Sequence, residues 1–274
     1  MKLTFWGVRG SIPVPEINKM KVGGNTSCVE VDLGISTRLI LDAGTGIRPL
    51  GAKIAKEIAE GKVNEVIILL SHYHWDHIQG FPFFNPIFNP KFKIYIFGPA
   101  KANRKLEGLL SGQMEYDYWP VKFSQLPVNI DFYELNEGSH LFKTGLRVIA
   151  KRHIHPGTAL GYRIEFGGKS FVYCTDTEHF QNQVDKRVVE LSSDTGLLIH
   201  DAQYTDTEIE FRLGWGHSTW RQAVEVAKQA SVKRLVLFHM DPERTDEEAL
   251  GIEAEAKKEH SGVILAKEGM TIEV

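Results

Sequence analysis

The chain has 274 residues, 42% of them hydrophobic and 24% charged, a balance that fits a folded globular protein and excludes disorder, collagen and coiled coil as its dominant class. A formal net charge of −3 gives no general pull toward nucleic acid or an anionic membrane, so neither a long nucleic acid nor a membrane is expected as a partner. Cys28 and Cys174 stand far apart in no paired motif, which argues against a disulfide framework and a thiolate zinc site, and Met1–Gly7 has no signal-peptide core, so a cytoplasmic protein is expected.

In chain order, Leu3–Trp6, Cys28–Leu33 and Arg38–Leu41 read as strands, the last two joined by a hairpin signal at Gly34-Ile35-Ser36. A helix is predicted over Ile47–Glu60, with Leu50, Ile54 and Ile58 on one face. Gly44-Thr45-Gly46 ahead of it reads as a tight turn, since the third glycine of a dinucleotide loop is misplaced. Val66–Leu70 is an apolar run of the buried-strand type, Phe92–Phe97 another strand and Lys101–Leu110 another helix. Residues 81–127, rich in aromatics, Asn and Pro, read either as a loop-rich wall over one end of the fold or as an aromatic packing layer.

The second half repeats the pattern. Apolar runs lie at Leu146–Ala150, Phe171–Tyr173, Leu197–Ile199 and Leu235–Phe238. Ser218 is placed to cap a helix over Thr219–Ala230, Thr245 and Glu248 have capping-box spacing before a further helix, and Gly262–Val274 is strand-like. No low-complexity linker divides the chain, so one domain over 1–274 is expected, with two sheets packed face to face and helices outside.

Histidine carries the chemistry. In Ser71-His72-Tyr73-His74-Trp75-Asp76-His77, four metal-ligand side chains directly follow the buried strand at Val66–Leu70. If extended, His72, His74 and Asp76 share a face, and a loop can turn Asp76 and His77 toward a second ion. Imidazole and carboxylate donors suit zinc, iron or manganese. Further ligand types follow other apolar runs: Asp42, His153 and His155, Asp176, His200 and Asp201, and His239 and Asp241. Strand ends that gather such residues on one rim are where open α/β sheets build sites.

With these residues in place, the chain resembles the metallo-β-lactamase-fold hydrolases. His72-x-His74-x-Asp76-His77 matches their signature, and Asp42, His155, Asp176 and His239 follow in the family's order. Within that family it is similar to the phosphodiesterase branch, which holds tRNase Z and the cyclic-phosphate and cyclic-nucleotide phosphodiesterases. The matching segments are His155-Pro156-Gly157-Thr158-Ala159-Leu160-Gly161-Tyr162-Arg163-Ile164, Tyr173-Cys174-Thr175-Asp176-Thr177 and Gly216-His217-Ser218-Thr219. The resemblance implies an αββα sandwich of two mixed β-sheets flanked by helices. It implies one divalent ion on His72, His74 and His155, a second on Asp76, His77 and His239, and Asp176 bridging both. Zinc is the expected metal, with manganese or iron as alternatives. His153 competes with His155, and the spacing to Gly161-Tyr162 favours His155. Asp42 is expected to orient a ligand loop.

One departure bears on the substrate. tRNase Z carries a long tRNA-gripping arm, whereas here Gly161 to Asp176 is one short hairpin with Gly167-Gly168 at its turn. The expected activity is therefore hydrolysis of small or cyclic phosphodiesters by a hydroxide generated between two metals. In that reading Asp76 orients the hydroxide, His217 contacts the phosphate or protonates the leaving oxygen, and Asp201 accepts a hydrogen bond from His217. Arg9 and Asn25 are candidate contacts for an anionic substrate, and a homodimer is left open. The competing readings are hydrolysis of another ester, lactone or thioester on the same metals, an RNA 3′ endonuclease lacking the arm, and a binding module with a silent metal site. His140, His179 and His260 have no motif context and are expected at the surface.

Overall fold

A computed structural model of the chain describes residues 1–180 and 183–274. Its strands in chain order are β1 (Lys2–Gly7), β2 (Cys28–Asp32), β3 (Thr37–Leu41), β4 (Glu65–Leu69), β5 (Lys93–Pro99) and β6 (Asn129–Leu135), then β7 (Gly138–Leu141), β8 (Arg147–Arg152), β9 (Leu160–Phe166), β10 (Lys169–Cys174), β11 (Leu198–Asp201), β12 (Leu235–Phe238), β13 (Val263–Leu265) and β14 (Thr271–Glu273). They form two seven-stranded sheets, ordered β14-β1-β2-β3-β4-β5-β6 and β13-β12-β11-β10-β9-β8-β7. Both sheets are mixed, as expected: β1, β2 and β3 pair antiparallel, β3 to β6 parallel, β7 to β10 antiparallel and β10 to β13 parallel.

Parallel neighbours need crossovers, and helices supply most of them. α1 (Ile47–Ala59) links β3 to β4, while α4 (Lys186–Ser192), α6 (Trp220–Gln229) and α7 (Asp246–Glu259) serve the second sheet. The short helices α2 (Trp75–Ile78), α3 (Leu106–Ser111) and α5 (Asp206–Ile209) sit in connections. Pro49 is tolerated in α1 because it falls in the first turn, where no helical N–H is needed.

Alternation along the strands explains the layers. Leu39 and Leu41 of β3 and Ile67 and Leu69 of β4 face the second sheet, packed in one core with Val148, Tyr162, Ile164 and Tyr173. Their neighbours Ile40, Val66 and Ile68 face outward and pack with Ile47, Leu50 and Ile54 of α1 in a second core. Burial on both faces is why these strands read as continuous apolar runs.

Several expectations shift. The helix expected over Lys101–Leu110 starts only at Leu106, after an irregular 100–105 segment. The cap of α6 is Thr219, not Ser218: Thr219 accepts from the Gln222 N–H and Gln222 returns the bond. The Ser218 hydroxyl instead donates to the Thr177 carbonyl. The 81–127 segment is both wall and packing layer, since Phe81 and Phe84 are buried while Phe83 and Phe88 are exposed. β6 and β7 lacked a clean apolar run; their residues are mostly half-buried or exposed because both lie at sheet edges.

Candidate metal centre

The site is built where parallel strands end. Asp42 follows β3, the His72–His77 segment follows β4, Asp176 follows β10, Asp201 closes β11 and His239 follows β12. Asp42, Asp176 and His239 have φ of 59°, 53° and 63°, a left-handed conformation that non-glycine residues seldom adopt. Such strain gathers where a side chain must be aimed in one direction. α2 begins at Trp75, and this early turn of helix, absent from the sequence reading, swings Asp76 and His77 away from His74.

Three groups converge among the described residues: His72, His74 and His155; Asp76, His77, Asp176 and His239; and Asp201, His217 and His239. In the first, His155 Nε2 and His74 Nδ1 are 3.1 Å apart. In the second, His77 Nε2 lies 3.2 Å from His239 Nε2 and 3.1 Å from Asp176 Oδ2, and His239 Nε2 lies 3.1 Å from Asp76 Oδ2. Asp176 joins the two groups, its Oδ1 lying 3.6 Å from His72 Nε2.

The residues around this cluster set the imidazole tautomers. His155 Nδ1 donates to the Gly216 carbonyl (3.1 Å), His77 Nδ1 to Asp42 Oδ2 (2.8 Å) and His239 Nδ1 to Gln203 Oε1 (2.9 Å). Each therefore turns an Nε2 lone pair inward, the state a metal ligand needs. The Ser71 hydroxyl donates to Asp42, so His72 Nδ1 donates to Ser71 Oγ and His72 Nε2 is also a bare lone pair. That Nε2 is buried with no hydrogen-bond partner among the described residues. A buried lone pair without a donor is costly, and a cation at this point removes the cost. The donor set of imidazoles and carboxylates fits divalent zinc, manganese or iron.

Burial would lower the His77 pKa, but the charges of Asp176, Asp76 and Asp42 outweigh it and hold that imidazole well above the usual histidine range, so a cation there would take the place of its Nε2 proton. Burial and the neighbouring imidazoles hold His72 well below the usual histidine range, and burial pushes His155 down to about 4, so both are neutral donors. Burial would raise the Asp76 and Asp176 carboxyls, but the facing histidines outweigh it and keep both well below the usual carboxylate range.

Asp42 sits behind the cluster. It accepts from Ser71 N (2.7 Å), Ser71 Oγ, His77 Nδ1 and Tyr173 OH (2.7 Å). Gln203 plays the same part for His239 and escaped the sequence reading; its position two residues beyond Asp201 was the one signal. His217 Nδ1 lies 2.9 Å from Asp201 Oδ2, and Asp201 also accepts from Asp176 N and Ser218 N. Burial would lower the His217 pKa, but the Asp201 charge and hydrogen bond outweigh it and push it up to about 9. The third convergent group is this pair plus His239, whose outer nitrogen is already held by Gln203.

Other expected residues lie elsewhere. Arg9 is fully buried, its guanidinium donating to the carbonyls of Gly23, Lys19, Asp241 and Arg244. It braces the loops behind the site and offers nothing to a substrate. Asn25 is likewise spent, its amide on Glu268. Asp241 caps the Glu243 N–H. His153 is buried with both ring nitrogens unpartnered among the described residues, and His155 takes the place in the cluster. His179 is buried, not at the surface, with Nε2 3.3 Å from that of the buried His200. His140 and His260 are half-buried.

The sequence matches the beta-lactamase superfamily domain over residues 37–240. It is 26% identical to a ribonuclease Z of Archaeoglobus fulgidus, covering 100% of this chain and 97% of the relative. That alignment spans 327 positions against 274 residues here, a difference of 53 that the relative alone fills. Among solved structures, the metallo-beta-lactamase fold protein YhfI of Bacillus subtilis superposes with a TM-score of 0.71 at 22% identity, covering 100% and 98% of the two chains. The short form of human tRNase Z gives 0.69 at 22% identity, covering 100% and 99%.

Proposed function

The chain belongs to the beta-lactamase superfamily, and on that footing we propose that it is a binuclear metal-dependent phosphodiesterase acting on small or cyclic phosphodiesters. The observation that supports this most is the inward set of lone pairs fixed by Asp42, Ser71, Gln203 and the Gly216 carbonyl, with Asp176 between the two groups. His72, His74 and His155 would hold one ion and Asp76, His77 and His239 the other, with Asp176 shared; zinc suits these donors, as do manganese and iron. When bound, two such ions supply Lewis acidity that favours deprotonated water and neutralises phosphoryl oxygens.

The chain's own groups do the rest. Asp76, whose Oδ2 accepts from Ser11 N at 2.8 Å, orients the attacking water. Asp201 holds His217 through Nδ1, leaving Nε2 without a partner among the described residues and free to donate a proton to the departing oxygen. A proton donor of this kind accelerates transfer by roughly 10²–10⁴-fold. The ring of His217 stacks on His239 with centroids 5.0 Å apart, which keeps that donor beside the metal cluster.

A second reading has a specific observation behind it: the relative from Archaeoglobus fulgidus, which matches this chain along its full length, carries the name ribonuclease Z. The name leans toward an RNA substrate and away from small substrates alone. Against it stand the short β9–β10 hairpin, turned at Gly167-Gly168, and the alignment positions only the relative fills. Protein reconstituted separately with zinc and with manganese decides between them. We expect turnover of bis(p-nitrophenyl) phosphate or a 2′,3′-cyclic nucleotide well above any maturation of pre-tRNA. Specific cleavage of the 3′ trailer with no small-diester turnover would reverse the assignment.

A further inference from the structure

Arg9 is fully buried and forms no ion pair among the described residues. A guanidinium taken out of water with no carboxylate against it is costly, and a well-packed apolar side chain would serve plain stability as well or better. What the guanidinium touches is backbone. Nε donates to the Gly23 carbonyl (2.7 Å), Nη2 to that of Lys19 (3.1 Å), and Nη1 to those of Asp241 (3.1 Å) and Arg244 (2.8 Å). These carbonyls belong to two loops, 19–23 and 241–244, and a planar fork of donors holds both at a fixed spacing.

The clamp reaches one half of the metal cluster. Gly10 N donates to the Met240 carbonyl (2.9 Å) and Met240 N to the Val8 carbonyl (3.1 Å), so the strap around Arg9 pairs with the residue that follows His239. A Cβ on Gly10 would stand 2.5 Å from His239 Nδ1 and 2.9 Å from Gln203 Oε1, which places the strap directly against the hydrogen bond that sets that imidazole. One residue further, Ser11 N donates to Asp76 Oδ2 at 2.8 Å. Ser11 and His239 both sit in the left-handed region, at φ 64° and 63°, conformations that persist only where the surroundings enforce them. His72, His74 and His155 are held differently, by Ser71, by one another and by the Gly216 carbonyl, and none of these bonds to Arg9 among the described residues.

We propose that Arg9 is a positioning residue for one ion alone, the one assigned to Asp76, His77 and His239. By clamping the 8–11 strap to the 239–244 loop, it sets the 3.1 Å spacing between Asp76 Oδ2 and His239 Nε2 and leaves the group of His72, His74 and His155 untouched. The inference rests on the binuclear reading above and goes beyond its ligands.

The test reads metal affinity, apart from turnover. Zinc is titrated into the full chain in competition with a chromophoric chelator, and urea unfolding is followed on the same samples. Two backgrounds separate the ions: Asp76→Ala keeps only the His72, His74 and His155 group intact, and His155→Ala only the other. Arg9→Lys keeps the charge but gathers its donors on one nitrogen, which cannot span the four carbonyls. It should weaken zinc about 10-fold in the His155→Ala background, the lower end of what groups behind a metal ligand contribute, and leave the Asp76→Ala background unmoved. Arg9→Met should have the same selectivity and a larger effect. A brace that serves stability alone would lower the urea midpoint and leave both affinities in place, or weaken both alike. Either result overturns the inference, as does an Arg9→Lys chain that fails to fold. Wild-type protein that binds no zinc sinks the binuclear reading itself, whereas two ions held as tightly by Arg9→Lys as by wild type sink only the role given to Arg9.

Discussion

Two sets of buried histidines lie close together in this molecule, and only one presents the unfilled nitrogens that fit a metal. In the metal cluster, His77, His155 and His239 donate through Nδ1 to fixed acceptors and turn bare Nε2 atoms toward one another. Behind it, His179 Nδ1 accepts from the Asp185 N–H, so its proton must sit on Nε2, which then donates to His200 Nε2 at 3.3 Å. His200 Nδ1 in turn donates to the Asp201 carbonyl at 2.7 Å. Every lone pair in that chain is filled, and burial holds both of its histidines below the usual range. The lesson is that a site is made by the groups that choose the tautomer, not by the number of imidazoles.

The largest effect expected from this contrast is on the metal cluster itself. Asp176→Ala removes the carboxylate shared by both groups; it should lower metal content and abolish turnover, as should His72→Ala. His179→Phe should leave metal content unchanged and show instead as a loss of about 1–3 kcal/mol in denaturant unfolding, because the Asp185 N–H and His200 Nε2 lose their partner. Retention of full activity by Asp176→Ala, or loss of metal from His179→Phe, would break the contrast.

Next in size is the effect at His217, the proposed proton donor. His217→Ala should keep its metal while kcat falls roughly 10²–10⁴-fold. The loss should shrink for p-nitrophenolate leaving groups, which need little protonation. An equal loss on good and poor leaving groups would make His217 a phosphate-binding or structural residue.

Asp42→Asn probes the tautomer argument directly. An amide cannot accept from His77, Ser71 and Tyr173 as the carboxylate does, and metal affinity should drop about 10–100-fold in competition with a chelator. Unchanged affinity would mean that Asp42 only braces the loop.

The smallest effect is a shift in pH profile. His217 must be protonated to donate, and Asp201 holds its pKa up to about 9. Activity on poor leaving groups should therefore persist through neutral pH and fall as the pH rises through about 9. In Asp201→Asn the raising charge is gone, and the alkaline limb should move down toward the ordinary imidazole value of about 6.5. A limb that stays in place would assign it to another group.

Much of this was legible in the sequence because ligand types cluster where apolar runs end. The His72–His77 segment, Asp176 and His239 each follow a strand that burial on both faces makes conspicuous. The partners that set tautomers were harder to see. Asp42 was found through its strand end, but Gln203 carries no ligand chemistry, and the Gly216 carbonyl is backbone. Arg9 and Asn25 looked like substrate contacts because they flank strands near the site; the fold turns both inward, onto backbone carbonyls and Glu268. His179 looked like a surface residue because its partners, Asp185 and His200, are distant in sequence or point away from the rim. The edge strands β6 and β7 hid for the opposite reason, since little of their surface is buried.

Metal stoichiometry tests the central claim most directly. Elemental analysis of carefully reconstituted wild-type protein should find about two divalent ions per chain, one for each group of inward-facing donors, with fewer in His72→Ala and no change in His179→Phe. Reconstituted wild-type protein that binds no transition metal would contradict the account.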